Sequence, residues 1–200
     1  MAVALRTATL DEAQGREVVG QQFSWFCPHG VPVDDMASDT HTLDFLCMLA
    51  AYLRPAVIVE SGTYLGHTAL AIANVLQQLD QEAVQPGHVW TADPTDYGTV
   101  SEAIVRYGLQ SHLTYFHGSF DDMLGRITEP IGLAYLDASA KDDPLMRLRH
   151  VKLTVARLAP HGVVVVDDCG SDWPGVKTIR RMAALYLPTH RGLCLIQKAG

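Results

Sequence analysis

Apolar and polar positions follow two alternating patterns along most of the chain. Short uninterrupted apolar runs, such as residues 56–59 and 163–166, are rich in β-branched side chains. Such runs are typical of strands that are buried on both faces of a parallel sheet. Longer segments alternate with these runs. In the first of them, residues 38–53, apolar residues recur at helical spacing after Ser-Asp-Thr and before Pro55. This alternation predicts a sheet with helices on both faces.

The pattern assigns strands and helices in turn. A second helix follows the first strand, and the chain ends with a helix near residues 176–186 and a strand at 193–197. We therefore expect an α/β protein with a doubly wound, mostly parallel sheet. A length of 200 residues favours one domain, 1–200, in which residues 1–54 form an N-terminal helical or lid segment. The predicted strands are 56–59, 88–92, 113–116, 133–136 and 163–166, and the helices between the later strands are 98–107, 121–124 and 144–158.

Charge and composition narrow the range of partners. With 15 Lys and Arg against 22 Asp and Glu, the net charge of −7 is the wrong sign for a protein that neutralises phosphates, so nucleic acid is not an expected partner. No run reaches the roughly 18 apolar residues that a membrane span needs, and the N-terminus lacks a secretory apolar region. The four cysteines are scattered, without a C-x-x-C pair. We expect a cytoplasmic protein with reduced thiols and no membrane partner.

Two glycines and two acidic residues mark a candidate ligand site at the strand ends. The first strand ends in Glu60, and Gly62 and Gly66 follow it, four residues apart, at the start of a helix. The G-x-G-x-x-G loop of dinucleotide-binding proteins is absent, which weakens an NAD-dependent oxidoreductase as a third hypothesis. The Glu60 carboxylate suits a ligand with an ammonium and a sulfonium and would repel a pyrophosphate. Asp93, after the second strand, can accept hydrogen bonds from ribose hydroxyls, or it forms a turn or helix cap with Pro94.

Three further carboxylates follow the fourth and fifth strands. Asp137 comes directly after one strand, and Asp167 and Asp168 come directly after the next. In the usual order 3-2-1-4-5 these strand ends are neighbours, and the convergence of three carboxylates requires a cation or a hydrogen-bond network. Hard oxygen ligands suit Mg²⁺ or another divalent cation, although single acidic residues at strand ends also serve as loop or cap residues.

At these residues the sequence resembles class I S-adenosylmethionine (SAM) dependent methyltransferases, and among them the cation-dependent O-methyltransferases of the catechol and caffeoyl-CoA type. The resemblance covers about residues 40–170 and implies a Rossmann-like methyltransferase fold with SAM as cofactor. It also implies a divalent cation on Asp137, Asp167 and Asp168. The family's catalytic lysine resembles Lys141, which falls one residue later than in the family pattern, and Asp137 is the second candidate catalytic residue. The resemblance implies cofactor contacts from Glu60, Ser61, Gly62, Thr63, Tyr64, Gly66 and Thr68, from Asp93 and Pro94, from the adenine segment Gly118, Ser119 and Phe120, and from Asp137.

The resemblance implies an enzyme that methylates a hydroxyl group of a small-molecule acceptor. The alternative is a catalytically degenerate domain that binds the cofactor or a partner chain, as the displaced Lys141 suggests. The family's sheet ends in a two-stranded hairpin, but only one strand is evident after the last predicted helix. We therefore expect a far sheet edge that is truncated or completed by another subunit, and a homodimer is one expected state.

Overall fold

The computed structural model describes residues 38, 40–79, 86–138, 144–169, 182–189 and 191–198. Within these residues the chain forms a seven-stranded sheet with strand order β3-β2-β1-β4-β5-β7-β6 and five helices. Strands β1 to β5 are parallel, and β7 is antiparallel to β5 and β6. The strands are β1 (Val57–Ser61), β2 (His88–Asp93), β3 (Leu113–His117), β4 (Ile131–Leu136), β5 (Leu158–Val166), β6 (Met182–Leu187) and β7 (Leu193–Lys198), and the helices are α1 (Thr40–Leu53), α2 (His67–Leu79), α3 (Thr99–Arg106), α4 (Phe120–Arg126) and α5 (Pro144–Ala156).

The central strands are buried on both faces, as their uninterrupted apolar sequences predict. Every residue of β1 is buried. Ile58 packs on one face in a core with residues of α1, α2 and α3, whereas Val57 and Val59 pack on the other face with residues of α4 and α5. The doubly wound α/β architecture is therefore confirmed, and so is the strand order 3-2-1-4-5.

The helix boundaries follow local signals where these are strong. Helix α3 begins after Gly98, whose φ is +75°, and ends before Tyr107 and Gly108, whose φ is +67°. The helix predicted at residues 144–158 ends at Ala156 because Leu158 already pairs with Ile131 of β4. Pairing in the sheet therefore decides the start of β5.

The side of the sheet that is formed by the last strands of the chain, β6 and β7, differs from the sequence prediction. The part of the predicted helix 176–186 that the structure describes, from Met182 onward, is strand β6. Met-Ala-Ala-Leu-Tyr-Leu is rich in helix-forming residues, but each of the six residues pairs with a residue of β7, from Met182 with Lys198 to Leu187 with Leu193. Tertiary pairing overrides the local preference. The expectation of a truncated edge is wrong, because β6 and β7 form the terminal hairpin.

The carboxyl ends of the parallel strands lie along one edge of the sheet, where the order reverses between β1 and β4. Ligands bind at such switch points in open α/β sheets. Among the described residues, none of the helices is long and apolar enough to cross a membrane.

Candidate functional site

The glycine loop after β1 is fixed to the ends of both neighbouring strands. The Gly62 amide donates to the Ala92 carbonyl oxygen (3.0 Å), and the Asp137 amide donates to the Ser61 carbonyl oxygen (2.9 Å). Gly62 has a φ of +92°, and a Cβ at this position would lie 2.8 Å from the Asp137 carbonyl oxygen. The loop needs glycine here because the backbone turns against the end of β4.

The second glycine of the loop allows two helices to approach. A Cβ on Gly66 would lie 2.8 Å from a methyl group of Val100 in α3, and the φ of Gly66 is +86°. Glycine at this position therefore lets α3 pack closely against the loop at the start of α2.

Asp93 connects the glycine loop to the loop after β2. Its Oδ2 accepts from the Tyr64 amide (2.9 Å), and its Oδ1 accepts from the Thr95 amide (2.8 Å). The side chain of Tyr64 packs edge-to-face on Tyr97, with 5.0 Å between the ring centroids. Each carboxylate oxygen has a second lone pair for a ligand donor. Pro94 follows and is exposed. Asp93 therefore lies where the sequence predicted it, at the strand end beside the loop.

Glu60 lies beneath the glycine loop. It is 2% exposed and accepts a hydrogen bond from the Thr91 hydroxyl. That hydroxyl lies 2.6 Å from Thr63 Oγ1 of the loop. Burial raises the pKa of Glu60 to about 8, with smaller contributions from two neighbouring aspartates. The Glu60 carboxyl group is thus connected to the loop through the Thr91 hydroxyl. Its contact with the cofactor ammonium stays a prediction.

Two other predicted cofactor residues also direct their side chains into the protein. Ser61 Oγ lies 2.9 Å from Nδ1 of His150 on α5, and Thr68 Oγ1 lies 3.2 Å from Ser38 Oγ. Ser61 is 1% exposed. This burial leaves backbone groups as its available means of contact with a ligand.

The predicted adenine segment has clear structural roles. Ser119 caps helix α4, since its Oγ accepts from the Asp122 amide (3.1 Å) and donates to the Asp122 carboxylate (2.6 Å). Phe120 is 4% exposed and belongs to the core. The Gly118 amide donates to the Asp93 carbonyl oxygen (2.9 Å), which brings the segment next to the cofactor loops. Its adenine contact stays a prediction.

The three carboxylates at the ends of β4 and β5 converge, as predicted, but an arginine lies among them. Arg191 Nε and NH2 donate to the two oxygens of Asp168 at 2.9 and 3.0 Å. The same guanidinium lies 3.5 Å from Asp137 Oδ1 and 3.6 Å from Asp167 Oδ2. Arg191 is therefore the cation that compensates the cluster.

These residues do not fit a divalent cation as they are arranged. Carboxylate ligands of Mg²⁺ or Ca²⁺ need free oxygens about 2.0 to 2.6 Å from the ion. Both oxygens of Asp168 already accept from Arg191, a group that stays charged in proteins. Among the described residues, no three His, Cys, Asp or Glu side chains form a group that could hold a metal. In the described residues Asp137, Asp167 and Asp168 form an arginine-centred ion-pair cluster, and the metal assignment to them stays a prediction.

Burial changes the acid–base properties of this cluster. The pKa of Asp137 is raised to about 8, mainly by burial and then by the Asp167 charge, while Arg191 acts in the opposite direction. Burial also raises the pKa of Asp167. Asp137 is thus a carboxyl group whose protonation changes near neutral pH, the range in which a general base is most effective.

A hydroxyl chain that the sequence analysis missed reaches the same cluster. The Tyr135 hydroxyl donates to Asp167 Oδ2 (3.0 Å) and lies 2.9 Å from Ser38 Oγ. Ser38 Oγ donates in turn to Asp137 Oδ2 (3.4 Å). The sequence contained one indication of the role of Tyr135, which is a polar group in an otherwise apolar strand that Asp137 directly follows. It contained none for Arg191, because Arg191 is remote in sequence and reaches Asp168 only through the terminal hairpin.

Two predictions fall outside the described residues. Lys141, the candidate catalytic base, lies in the segment 139–143. Residues 1–37 of the predicted N-terminal helical or lid segment, 1–54, also lie outside the described residues, and the described part of that segment contains helix α1 (Thr40–Leu53).

Comparison with known protein families gives a match over the central part of the chain. A family model described as a methyltransferase domain matches residues 59–169, more than half of the chain. A search of curated protein sequences returns no match.

Solved structures with the same fold include three methyltransferases. The SAH-bound Podospora anserina methyltransferase PaMTH1 aligns with a TM-score of 0.70 at 18% identity, covering 100% of this chain and 98% of that one. An O-methyltransferase from Bacillus cereus in complex with SAH gives 0.66 at 16% identity, covering 91% of each chain. The O-methyltransferase TomG from Streptomyces achromogenes, involved in tomaymycin synthesis and in complex with SAM, gives 0.65 at 19% identity, covering 94% and 90%. At these identities the alignments establish the fold.

Proposed function

Since the chain belongs to the methyltransferase-domain family, we propose that it transfers the methyl group of SAM to a hydroxyl group of a small molecule. One arrangement supports this function most strongly. The glycine loop, the Asp93 carboxylate and Asp137 meet at the carboxyl edge of the sheet, and the Asp93–Tyr64 and Asp137–Ser61 hydrogen bonds hold them together. This is the switch point at which open α/β sheets bind ligands.

The residues at this edge fit the cofactor. The Asp93 oxygens keep lone pairs for ribose hydroxyls, and the left-handed turn at Gly62 keeps the loop backbone free of a Cβ. Gly118 lies beside Asp93, where an adenine ring would extend from the ribose. When bound, SAM supplies an electrophilic methyl group on a sulfonium sulfur, and much of the catalysis consists of aligning the acceptor with it.

Asp137 is the residue that we assign to proton removal. A phenol has a pKa of about 10, so a base accelerates its reaction at neutral pH. The pKa of Asp137, raised to about 8 by burial and by its acidic neighbours, makes its ionised form a stronger base than an exposed carboxylate. Lys141 stays the alternative base that the family resemblance implies.

A small molecule is the acceptor that the charge favours. The net charge of −7 opposes the binding of a polyanion such as nucleic acid. The Bacillus cereus and Streptomyces achromogenes proteins are described as O-methyltransferases, which supports a hydroxyl acceptor. The homodimer, the cytoplasmic location and the single domain stay predictions.

The test combines cofactor binding and methyl transfer. Calorimetry should detect binding of SAM and SAH, and methyl-labelled SAM should label one or more members of a panel of catechols, phenols and sugars. Binding without transfer to any acceptor would favour the degenerate alternative, and the absence of binding would contradict the proposal.

A matched pair of variants tests the role of Asp137. Asp137→Asn should lower turnover about 10²-fold or more, the usual contribution of a general base, with a much smaller change in SAH affinity. Glu129→Gln removes a carboxylate two residues before β4, at the opposite edge of the sheet, and should leave both unchanged. Equal turnover of the two variants would exclude Asp137 as the base.

A further inference from the structure

The acidic cluster at the ends of β4 and β5 contains its own cation, and the geometry around that cation is specific. Arg191 binds Asp168 through two parallel hydrogen bonds of 2.9 and 3.0 Å. A bidentate arginine–carboxylate pair of this kind is directional and stronger than a single charged contact. The Arg191 side chain is 19% exposed and the Asp167 side chain 0%, so solvent screens their interaction little.

The backbone fixes the position of Arg191. The Cys169 amide donates to the Gly192 carbonyl oxygen (2.9 Å), which ties the residue after Arg191 to the residue after Asp168. Gly192 has a φ of +80°, and a Cβ at this position would overlap the Cys169 carbonyl oxygen. The loop before β7 therefore lies directly against the end of β5, and this contact presents the guanidinium to the carboxylates.

We propose that Arg191 takes the place of a divalent metal in this site and acts as the resident cation that positions Asp137, Asp167 and Asp168. A metal ion bound to the same oxygens would lie within a few ångströms of the guanidinium, and the two positive charges would repel each other. The protein is then a methyltransferase that works without a divalent cation. This last consequence rests on the proposed function, whereas the occupancy of the site by Arg191 does not.

Removal of the arginine should convert the cluster into a metal site. Without Arg191, the three carboxylates lose their shared cation and can turn toward a bound ion, and Asp167 Oδ1 has no hydrogen-bond partner among the described residues. A hard trivalent or divalent ion would then relieve the repulsion between the carboxylates. The Tyr135 hydroxyl donates to Asp167 at 3.0 Å, so the phenol ring can sensitise the emission of a terbium ion that binds there.

The experiment is a titration of the protein with Tb³⁺, with tyrosine excitation and terbium emission. We expect saturable emission from Arg191→Ala and no saturable emission from the wild type over the same range of terbium concentration. Arg147→Ala is the matched control, because Arg147 donates to the backbone carbonyl oxygen of Asp168 (2.8 Å) and not to a carboxylate of the cluster within the described residues, and it should behave as the wild type. Arg191→Ala/Tyr135→Phe should lose the emission, which locates the ion.

Two results would overturn the proposal. One is wild-type emission as strong and as saturable as that of Arg191→Ala, and the other is a folded Arg191→Ala variant that binds no terbium. If Arg191→Ala does not fold, Arg191→Gln, which keeps a polar side chain, replaces it in the titration. The wild-type titration does not depend on either variant.

The activity measurement is separate. Wild-type methylation should be unchanged in EDTA, and Arg191→Ala should gain a requirement for Mg²⁺ or Mn²⁺. Wild-type activity that EDTA abolishes and Mg²⁺ restores would overturn the proposal. Failure of every acceptor would contradict the proposed function alone, because the terbium titration needs no turnover.

Discussion

The Gly62→Ala variant tests whether the glycine loop is built against the end of β4. At a φ of +92°, an L-residue is strained by about 1 to 3 kcal/mol. The new Cβ would also lie 2.8 Å from the Asp137 carbonyl oxygen and 3.0 Å from the Ala138 nitrogen. Both atoms belong to the backbone, so neither can rotate away, and overpacking of this kind costs about 1 to 3 kcal/mol more.

Gly98→Ala is the matched control for the strain alone. Gly98 also has a positive φ, +75°, but a Cβ there would meet no atom within 4 Å. Both variants gain the same unfolded-state benefit of replacing glycine, which therefore cancels in the comparison. The free energy of unfolding should fall about 1 to 3 kcal/mol further in Gly62→Ala than in Gly98→Ala.

Urea unfolding followed by circular dichroism measures this difference, and calorimetry with SAH measures the effect on the site. Because the alanine displaces the loop from Asp137, SAH should bind Gly62→Ala more weakly, whereas Gly98→Ala should bind it normally. A difference between the two variants below about 0.5 kcal/mol, the scatter of such comparisons, would refute the close approach of the loop to β4.

Three other variants test the remaining contacts. Asp93→Ala should weaken SAM binding by about 1.5 to 3 kcal/mol in calorimetry, since it removes a charged acceptor that also holds the Tyr64 amide. Asp96→Ala, which loses a similar backbone contact at an exposed site, is its control, and equal affinities would remove Asp93 from the cofactor site. Burial raises the pKa of Glu60 from 4.5 to about 8, so the unfolding free energy should fall as the pH rises between these values. Glu60→Gln should flatten that part of the pH profile, and an unchanged slope would contradict the assignment. Ser119→Ala should cost about 1 kcal/mol of stability in urea through loss of the α4 cap, and unchanged stability would contradict the cap.

Local sequence signals determined the central α/β unit. Uninterrupted β-branched runs are typical of strands that are buried on both faces, and positive-φ glycines interrupt regular structure, so β1 and the loop at Gly62 were predictable. Asp93 and the convergence of Asp137 with Asp167 followed from a general property of parallel sheets, whose carboxyl ends share one edge. These features depend on residues that are near one another in sequence or on a topology that the alternation of elements fixes.

The tertiary structure alone decided the edge of the sheet and the cation of the site. Residues 182–187 have helix-forming side chains and become a strand because β7 offers six backbone partners. That hairpin brings Arg191 to Asp168, a partner 23 residues earlier in the chain. Sequence spacing indicated that three carboxylates need a cation, but a metal ion and a guanidinium satisfy the same charge requirement. Only the path of the chain from β6 to β7 shows that an arginine side chain lies there.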